Sequence, residues 1–156
     1  MTNEITAGVM IKLENIKSED IIALEEKLLD DKSNIEALAE KCFEKIDKDF
    51  VKRAKFNEGG FIVGKDDYCK GTSSELSAVL LSHLGIKAVI AKSFDEKHKK
   101  ELIENNILPM VFANPEEYNA VGLYDILKIK NIAEDSPKGI LEVVNITKGD
   151  SFLVEL

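Results

Sequence analysis

Cysteine is scarce in this chain: Cys42 and Cys69 are the only two in 156 residues, and neither has a Cys-x-x-Cys partner. The two histidines, His83 and His98, have no neighbours at metal-ligand spacing. These shortages leave no metal ligand to assign within the chain. Positive charge is short as well, since 21 Lys and Arg against 29 Asp and Glu leave a net charge of −8. A nucleic-acid surface needs a basic patch and is excluded, whereas a small anionic ligand answers to local charge and is not. No apolar run approaches the length of a membrane span, and Met1-Thr2-Asn3-Glu4 lacks the basic start and apolar middle of a signal peptide. The chain is therefore expected in the cytoplasm, away from membranes. There is no tryptophan, internal repeat, linker or low-complexity tract. With 44% hydrophobic and 32% charged residues, composition is that of an ordinary globular protein. One domain over 1–156, long enough for a substantial core, is the economical reading.

The chain is organised around the stretch from Phe61 to Phe112. Gly60-Phe61-Ile62-Val63-Gly64 is a short apolar run between glycines and predicts a buried strand. Leu76, Val79, Leu80, His83 and Leu84 repeat at helical spacing, and Gly85 is placed to end that helix. Ile86 to Ala91 predicts the next strand, Asp95 to Asn105 a second helix, and Ile107 to Phe112 a third strand. Such a unit builds a parallel sheet through right-handed crossovers. The loop Asp67-Tyr68-Cys69-Lys70-Gly71-Thr72-Ser73-Ser74-Glu75 joins the first strand to the first helix, with Thr72 and Glu75 at capping-box spacing. A hydroxyl-rich loop at the carboxyl end of a strand and the amino end of a helix is where such folds bind anions.

Around this centre, Ile5 to Leu13 predicts a strand. Ser18 caps a helix from about Glu19 to Leu29, with Glu19 and Asp20 in its acidic first turn. Ser33 and Glu36 form another capping box, ahead of Ile35, Leu38, Ala39, Cys42, Phe43 and Ile46 in helical register. Asn114-Pro115 starts a short helix. Asp125 to Lys130, Gly139 to Ile146 and Phe152 to Leu156 are three strand-like runs separated by turns, a meander that closes the fold. Cys42 belongs to the core, Cys69 is expected to be small and partly buried, and His98, among Lys97, Lys99 and Lys100, is expected on a solvated helix face.

Several of these segments resemble the swivel domain of the aconitase and isopropylmalate dehydratase family. The likeness lies in Gly60 to Gly64, Tyr68, Gly71, Ser73, Leu84 to Phe94 and Asn106-Ile107-Leu108-Pro109, with Asp47 to Lys55 resembling the approach to that strand. It implies an α/β fold: a swivelling β/β/α-type domain with a central, partly parallel sheet, flanking helices and a C-terminal β meander. The family's loop reads Gly-Ser-Ser-Arg-Glu-His, and here Gly71-Thr72-Ser73-Ser74-Glu75-Leu76 stands in its place. The catalytic base of that motif falls on Thr72, its second serine on Ser73, and the arginine that grips a substrate carboxylate on Ser74. A serine hydroxyl offers one neutral hydrogen bond where arginine offers a charged fork. A family Thr-Asp-His triplet falls on Ser18-Glu19-Asp20, leaving Glu19 as the carboxylate, and a substrate-reaching arginine falls on Lys32. Lys70, beside Gly71, is the candidate compensating charge.

The resemblance implies a catalytic pair, Thr72 and Ser73, with Gly71, Ser74, Lys70, Lys32 and Glu19 toward the substrate. Family enzymes hold an iron-sulfur cluster on three cysteines, and two cannot build it. A 4Fe-4S cluster would then sit on a partner, a large subunit, with a small di- or tricarboxylate as substrate. Two functions are compatible with these residues. One is the small subunit of a hydro-lyase of the aconitase or isopropylmalate dehydratase type. The other is a catalytically degenerate swivel domain, a pseudoenzyme kept to bind an anion or a protein.

Overall fold

A computed structural model describes residues 3–22, 34–71 and 74–156. In chain order the strands are β1 (Ile5–Lys12), β2 (Gly60–Val63), β3 (Ile86–Ala91), β4 (Leu108–Phe112), β5 (Ile126–Ile129), β6 (Ile140–Asn145) and β7 (Asp150–Glu155). The helices are α1 (Ser18–Ile21), α2 (Ile35–Ala39), α3 (Phe50–Phe56), α4 (Ser74–His83), α5 (Glu96–Glu104) and α6 (Ile132–Asp135), with 3₁₀ turns at Pro115–Ala120 and Ser136–Lys138. The fold is α/β. The strands close into a barrel in the order β1-β2-β3-β4-β7-β6-β5. Neighbours among β1 to β4 run parallel, and β5, β6 and β7 form an antiparallel meander that returns to β1 on one side and β4 on the other.

Strand alternation divides the core in two. Val9, Phe61, Val63, Ala88, Ile90, Met110, Leu127, Leu141, Val143 and Val154 fill the barrel. Ile62, Val89, Ala91 and Val111 point outward from the parallel strands into a second cluster shared with the helices. In that cluster α4 lies on β3 and α5 on β4. α3 is pinned to the barrel by Arg53, whose guanidinium donates to the Met10 carbonyl at 2.7 Å and pairs with Asp47 at 2.9 Å.

Four expectations need correction. The helix expected from Glu19 stops at Ile21, because Ile22 adopts an extended backbone; residues 23–29 of that expectation lie outside the described residues. The register expected through Ile46 ends at Ala39, since Phe43 takes a left-handed φ of 59° that a continuing helix cannot hold, and Ile46 is left 46% exposed. Of its capping pair, Ser33 lies outside the described residues. α3 was not anticipated as a helix, although Phe50, Val51 and Ala54 bury one face. His98 is fully buried: Asp95 caps α5 by accepting from the His98 N–H, which turns His98, Glu101 and Leu102 inward.

Candidate functional site

The loop after β2 is shaped before any side chain acts. Gly64 N–H donates to the Ile90 carbonyl at 2.8 Å, continuing the ladder past the end of β2. The chain then zips to the loop after β3. Tyr68 N–H donates to the Ser93 carbonyl at 3.1 Å, Asp95 N–H to the Tyr68 carbonyl at 3.3 Å, and Asp67 N–H to Ser93 Oγ at 2.8 Å. Asp67 and Cys69 take left-handed φ values of 50° and 65°, a conformation that local order stabilises at sites under constraint. On its other flank the loop meets the entry to α1, where Ser18 N–H donates to the Lys70 carbonyl at 2.9 Å. Gly71 is required there. Its φ is 144°, and a Cβ would stand 2.3 Å from Ser18 Oγ and 2.7 Å from both Glu19 carboxylate oxygens.

Lys70, Gly71 and Glu19 therefore share one edge. Lys70 and Gly71 are exposed, Glu19 is half-buried, and Ser18 Oγ donates to Glu19 Oε1 at 3.0 Å. α4 begins at Ser74, three residues after Gly71, and is ten residues long, with the positive end of its dipole toward this side. A cation, a left-handed backbone and a helix start make an edge suited to an anion.

Beneath the loop the protein is dry. Ser74 is fully buried, and its Oγ donates to Glu101 Oε1 at 2.7 Å; Ser77 Oγ donates to the Ser74 carbonyl at 2.7 Å and lies 3.3 Å from Cys69 Sγ. Burial raises the Cys69 thiol pKa against the Ser77 hydrogen bond, so the thiol stays protonated and unreactive. Burial pushes the His98 imidazole down to about 4, against the opposing pull of the Ser74 backbone and Asp95. His98 is neutral at pH 7, and its 3.7 Å approach to Glu101 is then neither an ion pair nor a hydrogen bond. Among the described residues the His98 ring nitrogens and the Tyr68 hydroxyl have no hydrogen-bond partner within bonding geometry, and the two rings lie 5.4 Å apart.

The structure thus brings Lys70, Gly71 and Glu19 together and turns Ser74 inward. Thr72, Ser73 and Lys32 lie outside the described residues. Sequence reasoning missed Ser18, Glu101 and His98 as the supports of this edge. For the last two a signal existed, because His98, Glu101 and Leu102 sit at i, i+3 and i+4, but the lysines around them read as a solvated face.

Comparison with known proteins adds five likenesses. The model of the aconitase C-terminal domain family matches residues 12–115. The 3-isopropylmalate dehydratase small subunit of Brachyspira hyodysenteriae is 32% identical over 123 residues, 79% of this chain and 69% of that protein. The methanogen homoaconitase small subunit of Methanocaldococcus jannaschii is 33% identical over 113 residues, 66% of this chain and 65% of that protein. A probable mitochondrial aconitate hydratase of Dictyostelium discoideum is 34% identical over 92 residues, and there the chain spans only 12% of the relative's length. Among solved structures, the 3-isopropylmalate dehydratase (leuD) of Methanocaldococcus jannaschii superimposes with a TM-score of 0.76 at 27% identity, over 97% of this chain and 81% of that one.

Proposed function

The chain belongs to the aconitase C-terminal domain family, and from that premise we propose that residues 1–156 act as one swivel domain, the small subunit of a hydro-lyase of the aconitase or 3-isopropylmalate dehydratase type. The substrate is a small di- or tricarboxylate, and a separate large subunit completes the active site. The observation that carries this reading is the seating of Lys70-Gly71 on Ser18-Glu19 ahead of the first turn of α4. This is the junction a swivel domain needs if its loop is to be presented to a partner.

The 4Fe-4S cluster of this chemistry belongs on the large subunit, because the donors of this chain do not fit it. Cys42 and Cys69 are both buried, burial pushes the Cys42 thiol up to about 12, and no three His, Cys, Asp or Glu gather among the described residues. The swivel subunit supplies the proton chemistry. Thr72 takes the proton alpha to a carboxylate, while Ser73, the N–H groups from Gly71 to Ser74, Lys70 and Lys32 hold the substrate. A free threonine hydroxyl is a poor base, so the alkoxide relies on those amides and on the helix dipole. Glu19, which accepts from Ser18 Oγ, adds a carboxylate to this edge.

One observation favours a second reading, a degenerate swivel domain kept for binding: the Ser74 hydroxyl donates to Glu101 inside the protein, so no side chain at the motif's arginine position reaches a substrate. Anaerobic purification from the native cell separates the two. A large chain bringing an iron-sulfur absorption supports the hydro-lyase, and in the reconstituted pair Thr72→Ala is expected to lower kcat by ~100-fold or more. Unchanged turnover removes Thr72 as the base, and a colourless protein without a partner supports the binding domain.

A further inference from the structure

The carboxyl ends of three neighbouring parallel strands finish in lysines. Lys12 closes β1, Lys65 lies two residues past Val63 at the end of β2, and Lys92 follows Ala91 at the end of β3. Register sets them side by side, with Lys12 opposite Val63 and Val63 opposite Ile90. Val63 and Ile90 point into the barrel, so Lys65 and Lys92, each two residues on, fall on the same inward side at the barrel mouth. Tyr118 fills that mouth. It is 5% exposed, and its hydroxyl donates to the Leu13 carbonyl at 2.7 Å. The ammonium groups of Lys12, Lys65 and Lys92 lie 4.4, 5.7 and 5.2 Å from the centre of its ring.

Among the described residues the protein balances these charges only in part. Lys65 pairs with Glu14 at 3.0 Å and also feels Asp66. Asp125, the other carboxylate near Lys12, is engaged by Lys148 at 3.0 Å, by Asn145 and by the Gly122 N–H. Lys12 and Lys92 have no ion pair or side-chain hydrogen bond among the described residues. They lie within one Debye length of each other, about 10 Å at 0.1 M salt, so their repulsion is not screened away. An aromatic ring attracts a cation through its quadrupole but carries no net charge to neutralise three. Burial and the charge of Lys148 hold the Lys12 ammonium below its ordinary pKa against the opposing pull of Glu14 and Asp125. In a chain of net charge −8, this local excess of cations runs against the composition.

We propose that the barrel mouth at Lys12, Lys65, Lys92 and Tyr118 is an anion-binding site that takes a carboxylate or phosphate group. It is built from other residues than the Lys70-Gly71 edge and does not depend on the hydro-lyase reading. Its occupant is an oxyanion, either a free small molecule or the side-chain carboxylates of an acidic segment. The test titrates citrate, orthophosphate and a short polyglutamate peptide into the whole chain, with chloride holding ionic strength constant, and follows backbone amides by NMR and Tm by calorimetry. Saturable shifts centred on Lys12, Lys92 and Tyr118, with a rise in Tm, are expected for at least one of the three. The Lys12→Gln/Lys92→Gln double variant is expected to bind at least about tenfold more weakly, with an anion-free Tm equal to or above that of the parent. Saturation by citrate or phosphate assigns a free small oxyanion, and saturation by the peptide alone assigns a partner's carboxylates. No saturable shift at these residues with any of the three anions, or undiminished binding by the double variant, overturns the site. Should the double variant fail to fold, the single Lys92→Gln change carries the same comparison.

Discussion

The two halves of the barrel share one inward face and differ in what covers the outward one. In the parallel half, β2 is buried at all four positions, and β3 at all but Lys87. Helices lie over these strands, so both faces are dry. In the antiparallel half, β6 and β7 alternate: Leu141, Val143, Phe152 and Val154 point in, while Ile140, Glu142, Leu153 and Glu155 face water. This is the distinction between crossover and hairpin connections, because only a crossover brings a helix back over its own sheet. Chemistry follows the same divide. The loop edge at Lys70, Gly71 and Glu19 and the three lysines around Tyr118 belong to the carboxyl ends of the parallel strands. The meander contributes closure and a polar anchor at Asp125, whose carboxylate, despite burial, is held below the usual range by Asn145, the Gly122 N–H and Lys148.

The most disruptive single change should strike where the parallel half is entered. A Cβ at Gly59 would stand 1.8 Å from the Gly85 carbonyl oxygen, and the residue holds a φ of 100°. Gly59→Ala forces the backbone between α3 and β2 against the end of α4, and chemical denaturation should show a loss of ~4 kcal/mol or more. The comparison itself is tested by outward-facing residues. Ile62 in β2 is fully buried under the helices, and Leu153 in β7 is 49% exposed. Ile62→Ala should cost about 3–4 kcal/mol and Leu153→Ala no more than about 0.5 kcal/mol; similar costs would mean that the two halves are covered alike.

A subtler effect belongs to the layer under the loop. His98 has a folded pKa lowered to about 4 by burial, whereas in the unfolded chain it titrates near the ordinary 6.5. Above pH 6.5 neither state binds the proton and the stability is fully present. As pH falls from 6.5 toward 4 only the unfolded chain takes the proton, so stability should drop by about 3 kcal/mol across that window and level off below it. Denaturation midpoints between pH 7 and 4, compared with those of His98→Leu, measure it. The variant should lose this part of the slope, and an unaltered slope would mean that His98 is not the group responsible.

Much of the fold was legible because its signals are local. Apolar runs gave β2, β3 and β4, the first of them set between glycines. The helix expected from Asp95 starts there, with Asp95 as its cap, Gly85 ends α4 with a φ of 85°, and Asn114 caps the 3₁₀ turn by accepting from the Glu116 N–H. The α/β class and the C-terminal meander followed from the order of those elements. The failures have one physical source. Phe43 breaks the helical register through a backbone conformation imposed by packing, its N–H being drawn to the Ile21 carbonyl at 2.8 Å. His98 is surrounded in sequence by lysines yet buried in space by Tyr68 and α4.

The same divide runs through the sites. The sequence by itself determined that Gly71 lies in a strand-to-helix loop, that the motif's arginine is absent at Ser74, and that two cysteines cannot hold a cluster, because each rests on residue identity and spacing. Only the tertiary structure decided that Gly71 rests on Ser18 and Glu19, fifty residues away, that Ser74 turns inward to Glu101, and that Lys12, Lys65 and Lys92 meet around one ring. Those meetings come from strand register and barrel closure, which arise from many weak long-range contacts at once. No short stretch of the chain carries them.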